Sequence, residues 1–204
     1  MFSIKSTVKP IQYYNTQDRG AEKKFYKLLM PIFRGALHGN RPIICLCIGS
    51  DRATGDSLGP LVGQSLLAWK ERNLLERKSF SPDKKRALKS MLFVYGTLNH
   101  PVHAMNLADT IIQIYRDHAD PFIVAIDASL GVKKHIGYVT LGNGPLFPGI
   151  GVGKQLPAIG NIHITGIVNC CQNADRNQIL QTTHLSTVIE LSSFISNSIV
   201  HSLL

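Results

Sequence analysis

A chain of 204 residues, 44% hydrophobic and 17% charged, carries enough apolar material for one large core, which excludes a disordered polypeptide or a disulfide-stapled miniature. Its formal charge of +9, from 22 basic against 13 acidic residues, suits an acidic partner. The basic clusters Lys23, Lys24, Lys27 and Lys84, Lys85, Arg86, Lys89 lack interleaved aromatics, so they read as solvated faces rather than as a nucleic-acid surface.

Residues 1–17 have no apolar period and read as an N-terminal arm, with residues 18–204 as a single α/β domain. Phe25, Leu28, Leu29, Ile32 and Phe33 recur at three- and four-residue steps and predict a helix to about residue 37, with Pro31 as a kink point. The unbroken apolar run 43–48 predicts a strand buried on both faces. A polar loop, 49–56, then leads into a helix over 58–75. Residues 76–90 read as a basic linker, 91–95 as a strand, 106–118 as a helix and 122–127 as a third buried strand ending in Asp127. Further strands are expected at 136–141 and 162–168, and one long helix at 177–203. The glycine- and proline-rich stretch 142–154 reads as a loop. The apolar strands alternate with helices, which predicts a three-layer fold with a mostly parallel sheet and helices on both faces.

No apolar run approaches the ~20 residues of a membrane span and the N-terminus lacks a signal-peptide core, so a cytoplasmic protein without a membrane partner is expected. Cys45 and Cys47 alternate in a buried strand, and Cys170 and Cys171 are adjacent. Neither spacing makes a zinc knuckle, and reduced thiols are expected.

Ligands in open parallel sheets bind beyond the carboxyl ends of the strands. Two acids fall there. Asp56 lies in the loop Gly49-Ser50-Asp51-Arg52-Ala53-Thr54-Gly55-Asp56 after the first apolar strand, and Asp127 ends the third. The bland alternatives are that Asp56 or Ser57 caps the following helix and that Asp127 bonds the amides of residues 129–131. Two carboxylates in one site instead divide the work, one keeping a proton as acid and the other activating water. Substrate contacts are expected from Ser50, Thr54 and Ser129 and from Gly149, Gly151, Gly153 and Lys154, where glycine lets a backbone approach a ligand. The loop 49–60 has neither the phosphate-cradling nor the dinucleotide glycine pattern. A divalent ion held by the acids needs a histidine beside them. The candidates are His100, His103, His135 and His163, none of which the sequence singles out, so no cofactor is assigned.

These segments resemble the YyaC family of bacterial sporulation proteins over most of the chain and, more distantly, the spore germination protease. The matching motifs are Thr54-x-Asp56-x-Leu58-Gly59-Pro60, Ala125-Ile126-Asp127-Ala128 and Pro148-Gly149-x-Gly151-Val152-Gly153. The resemblance implies the phosphorylase/hydrolase-like fold shared with hydrogenase maturation endopeptidases, with Asp56 and Asp127 as the catalytic aspartates. It further implies a spore protein or peptide as substrate and a location in the developing spore. Hydrogenase maturation endopeptidases bind nickel through a glutamate, an aspartate and a histidine, and Asp56 falls at the glutamate position. Gly55 stands where the germination protease has proline, and Ser129 where leucine is usual. The expected activity is hydrolysis of peptide bonds by two aspartates that activate water. The alternative is a non-catalytic module that binds a spore peptide or protein, and either is compatible with an oligomer.

Overall fold

Every residue of β2 (Ile43–Cys47) is buried, Ile44 and Leu46 against one layer and Ile43, Cys45 and Cys47 against the other. A strand apolar on both faces belongs in the middle of a parallel sheet. In the computed structural model, which describes residues 11–75, 91–148, 156–170 and 175–204, that is where it lies. Among the described residues, six strands form one sheet in the order β1 (Gln12–Asn15), β5 (Tyr138–Asn143), β6 (Ile162–Cys170), β4 (Phe122–Gly131), β2 and β3 (Leu92–Tyr95). β2 pairs in parallel with β3 and β4, and β4 with β6; β5 runs antiparallel to β6, and β1 antiparallel to β5.

Helices cover both faces, giving the expected three layers. On one side α1 (Ala21–His38) and α2 (Leu58–Leu75) pack on the C-terminal helix α5 (Leu185–Leu203). Phe25, Leu29 and Phe33 of α1, Val62 and Leu66 of α2 and Leu191 and Ile195 of α5 close over the sheet, each set at the spacing of one helix face. On the other side α3 (Leu107–Asp117) places Leu107 and Ile114 on Ile44, Leu46 and Ile123. Tyr115 of α3 is exposed. No helix among the described residues is long and apolar enough to cross a membrane. Cys45, Cys47 and Cys170 are free and buried; burial pushes the Cys45 thiol up to about 12.

Several elements differ from the sequence reading. Gln12–Asn15, within the arm, pairs with β5 as an edge strand. α1 runs continuously through Pro31, which sits on its solvent face. Gly142 and Asn143 belong to β5. The long C-terminal helix is broken into α4 (Arg176–Gln181) and α5, since Thr182 and Thr183 turn their hydroxyls back onto the carbonyls of Gln178 and Ile179. β4 continues past Asp127 to Gly131, with a register irregularity between Ser129 and Leu130. Asp127 is therefore inside a strand and not at its end, its backbone paired with Thr165 of β6 while β2 has already turned away.

The end of β2 is clamped to the start of α2. A Cβ on Gly59 would meet the Ile48 carbonyl oxygen at 2.1 Å, whereas one on Gly35, on the exposed side of α1, would meet nothing within 4 Å. Gly59→Ala is expected to destabilise the protein by about 1–3 kcal/mol through overpacking. Gly35→Ala is expected to stabilise it by about 0.4–1 kcal/mol, chiefly by reducing unfolded-chain entropy. Urea unfolding of the two variants beside the parent checks both signs.

Candidate active site

β2 and β4 lie side by side, but their connections leave in opposite directions, β2 through α2 to β3 and β4 onward to β5 and β6. Such a divergence opens a crevice at the carboxyl edge of the sheet. Here it is a cleft of about 460 Å³ whose walls include Ser50, Asp56, His103, Asp127 and Arg176.

Asp56 is delivered by a single 3-10 turn, Thr54–Ser57, that precedes α2. Its Oδ2 accepts hydrogen bonds from the Ser50 N–H at 2.7 Å and the Ser50 hydroxyl at 3.1 Å. The carboxylate is thus spent on the loop after β2 and not on capping α2. Ser57 does not cap by accepting either, since its hydroxyl donates to the Thr54 carbonyl at 2.6 Å. Gly49, with φ of 135°, makes the arrangement possible, because a Cβ there would meet the Asp56 carbonyl oxygen at 2.0 Å.

Asp127 reaches the cleft from β4 and is only partly open to it. Its Oδ1 accepts from the Ala128 N–H at 2.8 Å, and the amides of residues 129–131 are not its partners. Burial, followed by the negative charge of Asp56, pushes its carboxyl up to about 8, while the Ala128 N–H and the positive charge of Arg176 pull the other way. At neutral pH Asp127 therefore keeps its proton.

His103 comes from the loop after β3. That loop is stitched to the end of β2 by the Ile48–Val102 bridge and by the Gly49 N–H, which donates to the Val102 carbonyl at 2.8 Å. Asn106 Oδ1 holds the His103 N–H at 2.8 Å. The His103 Nδ1 is buried without a hydrogen-bond partner, a state that a bound polar group would relieve. Among the described residues no three His, Cys, Asp or Glu side chains converge as a metal ligand set. Arg176, Asn177 and Gln181 complete one wall. They are carried by α4, which Asn169 of β6 ties down through the Ile179 carbonyl and the Thr183 hydroxyl. Gly55 leaves room for it, since a Cβ would meet Leu180 Cδ2 at 2.8 Å.

Of the residues expected from sequence, Asp56, Asp127 and Ser50 meet in this cleft. Thr54 lies in the turn beneath Asp56, outside the cleft wall, and Ser129 faces a neighbouring groove, as do His135 and His163. His100 is exposed. Gly149, Gly151, Gly153 and Lys154 lie outside the described residues. Sequence reasoning missed Arg176, Asn177 and Gln181; the only signal was their place near the start of the last helical stretch, which does not say where it folds.

Carboxyl-carbon NMR of aspartate-labelled protein is expected to show one resonance titrating near pH 8, absent in Asp127→Asn. In Asp56→Asn its midpoint falls, because a like charge is gone, yet stays above the ordinary carboxyl value of about 3.9, because burial is the larger cause. The folded pKa lies above the unfolded one, so the protonated acid's contribution to stability is full below about pH 4 and lost as pH rises to about 8. Asp127→Asn is accordingly expected to unfold at a higher temperature than the parent at pH 9, a difference that shrinks in acid and is read by calorimetry.

The chain matches the family described as "Protein of unknown function (DUF1256)" over residues 13–75 and 84–198. It is also 39% identical over 199 residues to the "Uncharacterized protein YyaC" of Bacillus subtilis (strain 168), covering 98% of this chain and 86% of that protein. The cleft of Asp56 and Asp127 lies wholly inside the matched segments, and on this match the chain belongs to the DUF1256 family.

Proposed function

We propose that this protein is a peptide hydrolase in which Asp56 and Asp127 activate water without a covalent intermediate. The observation that carries the reading is the asymmetry of the pair. Asp127 is held protonated at neutral pH by burial and by its neighbour's charge, while Asp56 is anchored through one oxygen by Ser50 in the same cleft. One acid and one base facing a common cleft is the minimum that amide hydrolysis requires.

In this mechanism Asp56 takes a proton from a water whose oxygen attacks the peptide carbonyl carbon. The Asp127 proton hydrogen-bonds to the carbonyl oxygen as negative charge develops there. Arg176 adds positive charge to the same wall. The tetrahedral intermediate then collapses, the C–N bond breaks, and the proton held by Asp56 passes to the leaving nitrogen, so that both acids return to their starting states. The resemblance of three motifs of this chain to the germination protease supports a spore protein as the substrate and the developing spore's cytoplasm as the place of action.

The test incubates the purified full chain with extracts of spore proteins and maps new chain termini by mass spectrometry. Cleavage is expected from the parent and is expected to fall by about 10²–10⁴-fold in Asp56→Asn and in Asp127→Asn, the usual loss when a general acid or base is removed. Equal cleavage by all three proteins, or binding of a spore protein with no cleavage at all, defeats the proposal. The rate is further expected to decline as pH rises through about 8, where Asp127 gives up its proton; a profile flat through that range contradicts its role as the acid.

A further inference from the structure

The two faces of the sheet are covered unequally. The three helices α1, α2 and α5 blanket one face, but among the described residues α3 covers only β3, β2 and β4 on the other. The described residues of the β1–β5–β6 half of that face line a groove of about 970 Å³. Its apolar lining includes Ile11, Tyr13 and Val132, which are 52%, 51% and 55% exposed. Contiguous exposed apolar surface of this kind marks a place where something docks.

Strand register leads from the groove to the acids. Asp127 pairs with Thr165, Thr165 with Thr140, and Thr140 with Tyr13, so these four residues form one row across four adjacent strands. The Thr140 and Thr165 hydroxyls are 2.7 Å apart, and the Ser129 hydroxyl donates to Thr165 at 3.2 Å. With strands about 4.8 Å apart, the row spans about 14 Å from the protonated carboxyl to the tyrosine ring, the reach of a few residues of extended chain.

The charge of the groove is one-sided. Lys133 and Lys134 stand exposed in the turn after β4, and His135 beside them is sandwiched between Tyr13 at 5.1 Å and Tyr138 at 5.0 Å. His163 lies over Gly142, where a Cβ would meet its Nε2 at 2.1 Å, and its Nδ1 is 3.1 Å from the Gly144 carbonyl oxygen. Among the described residues no aspartate, glutamate or arginine lines the groove. Lysines above an apolar, hydroxyl-floored trough suit carboxylates interspersed with aliphatic side chains. Phosphate-rich nucleic acid is more often met by arginine forks and free aromatic rings, and Tyr13 is already engaged with His135.

We propose that this groove is the docking site for an acidic, aliphatic-containing segment of a polypeptide, which it leads across the sheet to the cleft of Asp56 and Asp127. The consequence for cleavage rests on the hydrolase reading above; the docking itself does not.

Fluorescence anisotropy with the full chain tests it, using three labelled probes of matched length: a peptide alternating glutamate with leucine, the same peptide with lysine for glutamate, and a single-stranded DNA oligonucleotide. The acidic peptide is expected to bind best. Lys133→Glu/Lys134→Glu is expected to weaken it by about tenfold or more and to favour the lysine peptide. Both substituted positions are exposed, so the fold is retained, which a thermal melt verifies. Tyr13→Ser is expected to weaken the acidic peptide as well, by removing apolar wall. The proposal is overturned if the acidic peptide fails to bind, if the lysine reversal leaves its affinity unchanged, or if the oligonucleotide outcompetes it. Tight, lysine-dependent binding of a peptide that is never cut sustains the groove while defeating the hydrolase.

Discussion

The candidate site depends on the close approach between the end of β2 and the start of α2. Gly49 and Gly59 allow two stretches of backbone to come nearer than any side chain would permit, against the Asp56 carbonyl and the Ile48 carbonyl respectively. This contact folds the loop back on itself so that the Ser50 N–H and hydroxyl both point at the Asp56 carboxylate. Without it Asp56 would be free to turn toward the open N–H groups of α2, which is where an acid at a helix start is ordinarily drawn. Backbone packing, then, decides whether this aspartate is a cap or part of a cleft wall.

Asp127 is controlled by a different constraint. β4 keeps its ladder to β6 through residue 131, and it outlasts β2, so Asp127 is held rigidly by a strand while one side of it faces the crevice. Desolvation from the surrounding core raises the cost of its charge, and the fixed carboxylate of Asp56 raises it further. The two side chains are thus held by different supports, Asp56 by a loop through Ser50 and Asp127 by a strand.

How much of this could be read from sequence follows from the range of each cause. The core strand 43–47, the α2 face and the acids after apolar runs were legible because each rests on local periodicity and on the rule that a buried carboxylate belongs at an edge. The end of β4 was misplaced, because Asp127 looks like a polar stop, while the ladder that continues past it depends on β6, about forty residues away in the chain. His103 enters the cleft only because Val102 bridges to Ile48, a pairing that no local pattern announces. The same is true of Arg176, whose helix is short, breaks at Thr182 and is fixed by Asn169 and by the vacancy at Gly55. Ser129 was expected beside the acids; it shares the sheet face of Asp127 but lies one pleat farther along β4, and so it belongs to the groove.

That displacement of Ser129 links the two cavities. Residues two apart on a strand face the same way, so the pleat that presents Asp127 to the cleft also presents Ser129 to the groove, and the register carries the face onward to Thr165, Thr140 and Tyr13. A helix over this half of the sheet would have buried the row and left the cleft as an isolated pit. Its absence among the described residues has a cost, since Ile11, Tyr13 and Val132 remain exposed to water. The chain meets that cost beside a lysine pair and an aromatic-stacked histidine, features that raise solubility and select for negative charge. An edge strand antiparallel to β5, formed from what looked like a loose arm, completes the trough by supplying Tyr13. The least periodic segment of the sequence thereby provides one wall of the surface through which the site is reached.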